Sequence, residues 1–128
     1  MYLTRAITDL EGHTWPLAGI IPAACRMQQS LAGLGYREAF LCRDNLLGRQ
    51  DDCLYGHEFH YSILTDLAAD FPPAYTWGLR GTMRYDGYGT RQVVASYLHL
   101  HFLGNRQAAR NFLAACRKFK GGVSNVTA

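Results

Sequence analysis

The sequence predicts an α/β layered domain with an incomplete helical layer, and three observations carry that reading. Val93–Phe102 is rich in β-branched and aromatic residues, the composition of a strand. His57–Ser62 alternates in character, which also suits a strand. After Asn105, the residues Ala109, Phe112, Leu113 and Cys116 form an apolar stripe at helical spacing. One long helix against about four strands is too little to cover a sheet, so the segment reads as part of a larger layered unit.

Taken in order, Tyr2–Leu10 places Leu3, Ile7 and Leu10 at helical spacing and reads as the end of a helix stopping near Gly12. Pro16–Pro22 is an apolar run between prolines, a buried strand or a loop packed on the core. Gly35–Leu41 is a strand, and Asp44–Gly48 is a turn bounded by Asp, Asn and Gly. Phe71-Pro72-Pro73 breaks regular structure, and Asp86–Gly89 is a turn. The final helix is capped by Asn105, carries Arg117, Lys118 and Lys120 toward its negative end, and stops at Gly121-Gly122.

The 128 residues form one expected domain, 48% hydrophobic and 18% charged, a globular composition. The net charge of +3 is spread along the chain with no dense basic stripe, which argues against a nucleic-acid partner. No apolar run is long enough to span a membrane, and the first residues lack the basic-then-apolar pattern of a signal peptide, so a cytoplasmic location is expected. Cys25, Cys42, Cys53 and Cys116 match no zinc pattern and read as reduced, small core residues.

Histidines carry the chemical interest. On a strand through Gly56–Ser62, Glu58, His60 and Ser62 share one face, and His57, Phe59 and Tyr61 the other. Glu58 then orients His60 or stabilises a substrate amine, or the face is simply polar and satisfied by neighbouring loops. In Tyr97–Phe102, His99 and His101 share a face opposite Leu98, Leu100 and Phe102. That pattern serves a metal, a general base with a neighbour, or two unremarkable core and surface histidines.

Four segments occur in an order that resembles the C-terminal region of cobyrinate and hydrogenobyrinate a,c-diamide synthases. They are Leu34–Ala39, Arg43–Gly48, Gly56–Ser62 (GHEFHYS) and Ala95–Phe102 (ASYLHLHF). The resemblance implies the C-terminal portion of a class I glutamine amidotransferase domain, flavodoxin-like in its layers. In that family the domain releases ammonia from glutamine, and an ATP- and Mg2+-dependent synthetase domain amidates the a and c carboxylates of a corrin precursor in cobalamin biosynthesis. The resemblance places the catalytic histidine at His99, with His101, Glu58 and His60 as supporting residues.

Two departures accompany the resemblance. His101 stands where many class I amidotransferases carry a glutamate that orients the histidine. The family's nucleophilic cysteine lies in a C-G-G-x-M-Y-L pattern, and Met1-Tyr2-Leu3 matches its last three residues, so the cysteine position falls just before residue 1. No G-x-x-x-x-G-K-[ST] loop is present, so no cofactor is expected on this chain itself. Glutamine is the expected small-molecule partner, and the corrin precursor is reached through the synthetase domain. The isolated chain is expected to be inactive. The alternatives are a non-catalytic subunit that completes a split amidotransferase through a partner polypeptide or by self-association, and a small metal-binding protein using His57, His60, His99 and His101.

Overall fold

Two long segments that pair with each other form the centre of the molecule. In the computed structural model, which describes residues 1–123, the strands are β1 (Ala6–Thr8), β2 (Thr14–Pro16), β3 (Ala24–Met27), β4 (Gly33–Leu41), β5 (Cys53–His60), β6 (Ser62–Thr65), β7 (Tyr75–Leu79), β8 (Thr82–Asp86), β9 (Tyr88–Gly89), β10 (Val94–Ala95) and β11 (His99–Leu100). One helix, α1 (Arg106–Val123), follows. The long antiparallel pair β4–β5, in register from Gly33↔His60 to Phe40↔Cys53, is the middle of a five-stranded sheet ordered β11-β5-β4-β7-β8. A second sheet runs β2-β1-β3-β6, with β1 and β3 parallel, and β9 and β10 form a small ribbon. The fold is α/β, with one mixed sheet and one antiparallel sheet. No helix among the described residues is long and apolar enough to cross a membrane.

The core lies on one face of the five-stranded sheet. Ala39 and Leu41 of β4, Leu54 of β5, and Tyr75 and Trp77 of β7 project there and meet Leu47, Ala74, Leu98 and Ala108. The predicted turn at Asp44–Gly48 forms inside the β4–β5 connection. The Asn45 side chain accepts a hydrogen bond from the Leu47 amide (2.8 Å), and Asp44 accepts one from Gln50 (2.9 Å), the usual local bonding of these side chains. Phe71–Pro73 is irregular, as expected.

Several expectations are corrected. Tyr2–Leu10 contains a turn and β1 rather than a helix end, because β1 finds strand partners on both sides, β2 and β3. A run this short supports either assignment by spacing alone. In Pro16–Pro22 only the side chain of Ile21 is buried, so the run is mostly surface loop. Val93–Phe102 is not one strand. Ser96 breaks it, with its hydroxyl bonded to the Asp86 carboxylate and accepting from the Leu98 amide, so β10 joins β9 while β11 joins β5. The hairpin β7–β8, which local composition does not announce, turns on Arg80 and Gly81 at φ 50° and 77°, the left-handed pair that matches strand twist.

Helix α1 departs from its expected role. Asn105 supplies the first helical carbonyl to Ala109, but its side chain is committed elsewhere. The stripe through Phe112, Leu113 and Cys116 is largely exposed, and Phe119 is 76% exposed. Contacts with the body include buried Ala108, Asn111, which donates to the Leu47 carbonyl at 2.8 Å, and the Phe112 ring, which stacks on Phe102. Gly121 and Gly122 fall within the helix instead of ending it. Of the four cysteines, only Cys25 is fully buried.

Candidate functional site

The register of β4, β5 and β11 sorts the candidate residues onto two faces. Tyr36 pairs with His57, and His57 pairs with His99, so these three share the outer face of the sheet. The Tyr36 and His57 rings meet edge-on at 5.2 Å, and the His57 and His99 rings lie 6.5 Å apart. His99 is exposed, and its Nδ1 lies 3.0 Å from the His57 carbonyl oxygen. A carbonyl only accepts, so His99 Nδ1–H donates, and in the neutral ring Nε2 carries the lone pair.

On the opposite face, Glu58 accepts a hydrogen bond from Arg37 Nε at 2.7 Å, and its other oxygen faces His60 Nε2 at 3.5 Å. Both partners of the Arg37–Glu58 pair are nearly buried, so removal of either would leave a costly uncompensated charge. His60 donates from Nδ1 to the Ser62 carbonyl (2.8 Å) and stacks on Tyr97 with ring centres 4.0 Å apart. The Tyr97 hydroxyl bonds Ser62 Oγ at 2.6 Å and lies 3.6 Å from Cys25 Sγ, tying the segment before β11 to the second sheet. Burial pushes the Tyr97 phenol well above its ordinary range.

Glu58 and His60 therefore come together, as strand alternation predicts, but on the face away from His99. His101 lies beyond the end of β11, at the start of the turn into α1, and so does not share a strand face with His99. Its carbonyl accepts from Gly104 N and Asn105 Nδ2. Among the described residues, no group of three or more His, Cys, Asp and Glu side chains converges as a metal site. Sequence reasoning passed over Arg37 and Tyr97 as partners of this cluster and reached Ser62 only as a residue on the same strand face.

Asp86 adds a pH-sensitive element beside this cluster. Burial raises its carboxyl above the ordinary 3.8, a hydrogen bond from Ser96 opposes the rise, and the nearby Glu58 charge adds to it. A carboxyl raised in the folded state contributes stability that is fully present below its unfolded value and is lost as pH rises through the folded value. Thermal midpoints measured upward from about pH 4 should therefore fall more steeply for the native chain than for Asp86→Asn. Parallel curves for the two proteins would refute the assignment.

Residues 1–107 match the family described as the CobB/CobQ-like glutamine amidotransferase domain. The cobyrinate a,c-diamide synthase of Priestia megaterium is 38% identical over 94% of the chain and 26% of its own length. The enzyme of the same name from Thermoplasma acidophilum is 39% identical over 90% of the chain and 26% of its own length. The hydrogenobyrinate a,c-diamide synthase of Streptomyces coelicolor is 36% identical over 91% of the chain and 22% of its own length. The chain thus spans about a quarter of the length of these relatives.

Proposed function

Because the chain belongs to the CobB/CobQ-like glutamine amidotransferase domain family, we propose that it is the histidine-bearing, C-terminal part of the glutaminase domain of a cobyrinate a,c-diamide synthase. In this reading its sheets and α1 belong to a flavodoxin-like class I amidotransferase layering. The whole enzyme, cytoplasmic, hydrolyses glutamine and passes the ammonia to an ATP- and Mg2+-dependent step that amidates the a and c carboxylates of a corrin precursor.

The observation that carries this reading is the state of His99. With Nδ1–H held by the His57 carbonyl, Nε2 is left to take a proton from a thiol and return it in the hydrolytic step. The thiol belongs to the family's cysteine turn, which the sequence pattern sets just before Met1.

Three of the chain's four cysteines are poor substitutes for that thiol. Cys25 is buried against the Tyr97 hydroxyl. Cys53 is four residues from His57 along β5, roughly 13 Å at strand rise. Burial pushes its thiol up, and does the same to Cys42, the reverse of activation. The purified 128-residue chain should release no glutamate from glutamine above a His99→Ala control. Release that depends on His99 would show that one of the four cysteines serves as nucleophile and would overturn this division of labour.

A further inference from the structure

β11 is two residues long and sits at the edge of its sheet, so two ladder positions alone carry His99. Two features make up the shortfall. The ladder would continue by placing His101 opposite Tyr55, but the chain turns away there. The Asn105 side chain takes the vacated place: its Oδ1 accepts from the Tyr55 amide at 2.8 Å, and its Nδ2 donates to the Tyr55 carbonyl at 2.8 Å and to the His101 carbonyl at 3.0 Å. Asn105 is only 6% exposed, so these bonds are shielded from water. On the next rung, Gly56 faces Leu100, and a side chain at Gly56 would put its Cβ 2.6 Å from Leu98 Cγ and 3.1 Å from the His99 carbonyl oxygen. β11 lies this close to β5 only because residue 56 has no side chain.

We propose that Gly56 and Asn105 are positioning residues that hold β11 against β5, so that His99 Nδ1–H meets the His57 carbonyl and Nε2 stays bare. The proposal rests on the reading of His99 as a general base and deepens it. A main-chain carbonyl, fixed by strand register, takes the orienting role that a carboxylate fills in other histidine-dependent nucleophile systems. The carbonyl is neutral, so it sets the tautomer and ring direction without adding a second charge to the site.

Nitrogen-resolved NMR of the chain labelled at histidine nitrogens reads the His99 tautomer directly, with no need for glutaminase activity. In the native chain the neutral-ring equilibrium should be shifted toward the Nδ1–H form by roughly fivefold relative to free histidine, the bias of one net hydrogen bond. Gly56→Ala and Asn105→Ala should each erase that shift while the rest of the spectrum stays dispersed. Gly56→Ala combined with Leu98→Ala, which removes the two shortest contacts and leaves only the His99 carbonyl, should restore it in part. A native chain with no shift from free histidine overturns the proposal even if a variant fails to fold, and so does an unchanged tautomer ratio in folded variants. Failure of the general-base reading would show elsewhere, as unaltered glutamine-dependent turnover after loss of the histidine.

Discussion

In a full-length cobyrinate a,c-diamide synthase, alanine in place of the histidine that matches His99 is expected to lower glutamine-dependent amidation by roughly 10²–10⁴-fold, the usual worth of a general base. Ammonia-dependent amidation should be unchanged. The two nitrogen sources separate the roles because free ammonia bypasses thiol chemistry and needs only the ATP-dependent step. The match to His101 should behave differently. Its side chain is exposed past the end of β11, so its replacement should cost far less in the glutamine assay. Steady-state rates with each nitrogen source make the test. Equal loss with glutamine and ammonia would mean that His99 supports structure rather than proton transfer.

The isolated chain is expected to associate in solution. The outer face of the five-stranded sheet carries Leu34, Tyr36, Phe40, Tyr55, Phe59, Met83 and Tyr85, all exposed, Tyr36 at 87%. A sheet apolar on both faces normally has both covered, and contiguous apolar patches mark contact surfaces. The exposed Phe112, Leu113 and Phe119 of α1 add a second such surface. Each Leu, Phe or Met that gains cover contributes about 1.5–3 kcal/mol, so a few residues outweigh a weak association cost. Size-exclusion chromatography should show species larger than a monomer, and Tyr36→Lys with Phe59→Lys should shift them toward monomer. Co-expression with the preceding portion of a relative, through its cysteine turn, should yield a complex with glutaminase activity. A monodisperse, cooperatively melting native monomer would refute the expectation.

What was legible in the sequence was what local pattern controls. The split that puts Glu58 and His60 on one face and His57 on the other follows from strand alternation, although the expected strand through Ser62 breaks at Tyr61, where β5 gives way to β6 of the other sheet. The Asn45 turn follows from side-chain chemistry two residues long. Non-local pairing was not legible. Val93–Phe102 has ideal strand composition, yet Ser96 spends its hydroxyl on Asp86 and divides it between two sheets. Asn105 stands where a cap belongs, yet its amide answers a strand fifty residues earlier. The helical stripe was read correctly as apolar, but apolar periodicity says what a face needs and not whether the chain itself supplies it.

The pairing of His99 with His57 also closes a loop of 42 residues. Confining the ends of a flexible segment that long costs roughly 3 kcal/mol of chain entropy or more. Two ladder positions offset little of this once water has been exchanged for protein partners. The β4–β5 hairpin closes a much shorter connection and forms many more pairs. Assembly that respects these costs forms the hairpin first and seats the histidine last, after Leu98 and Asn105 have something to grip. The geometry proposed for His99 is then the least autonomous part of the domain, since it needs a completed sheet, and it is expected to be lost before the sheet is.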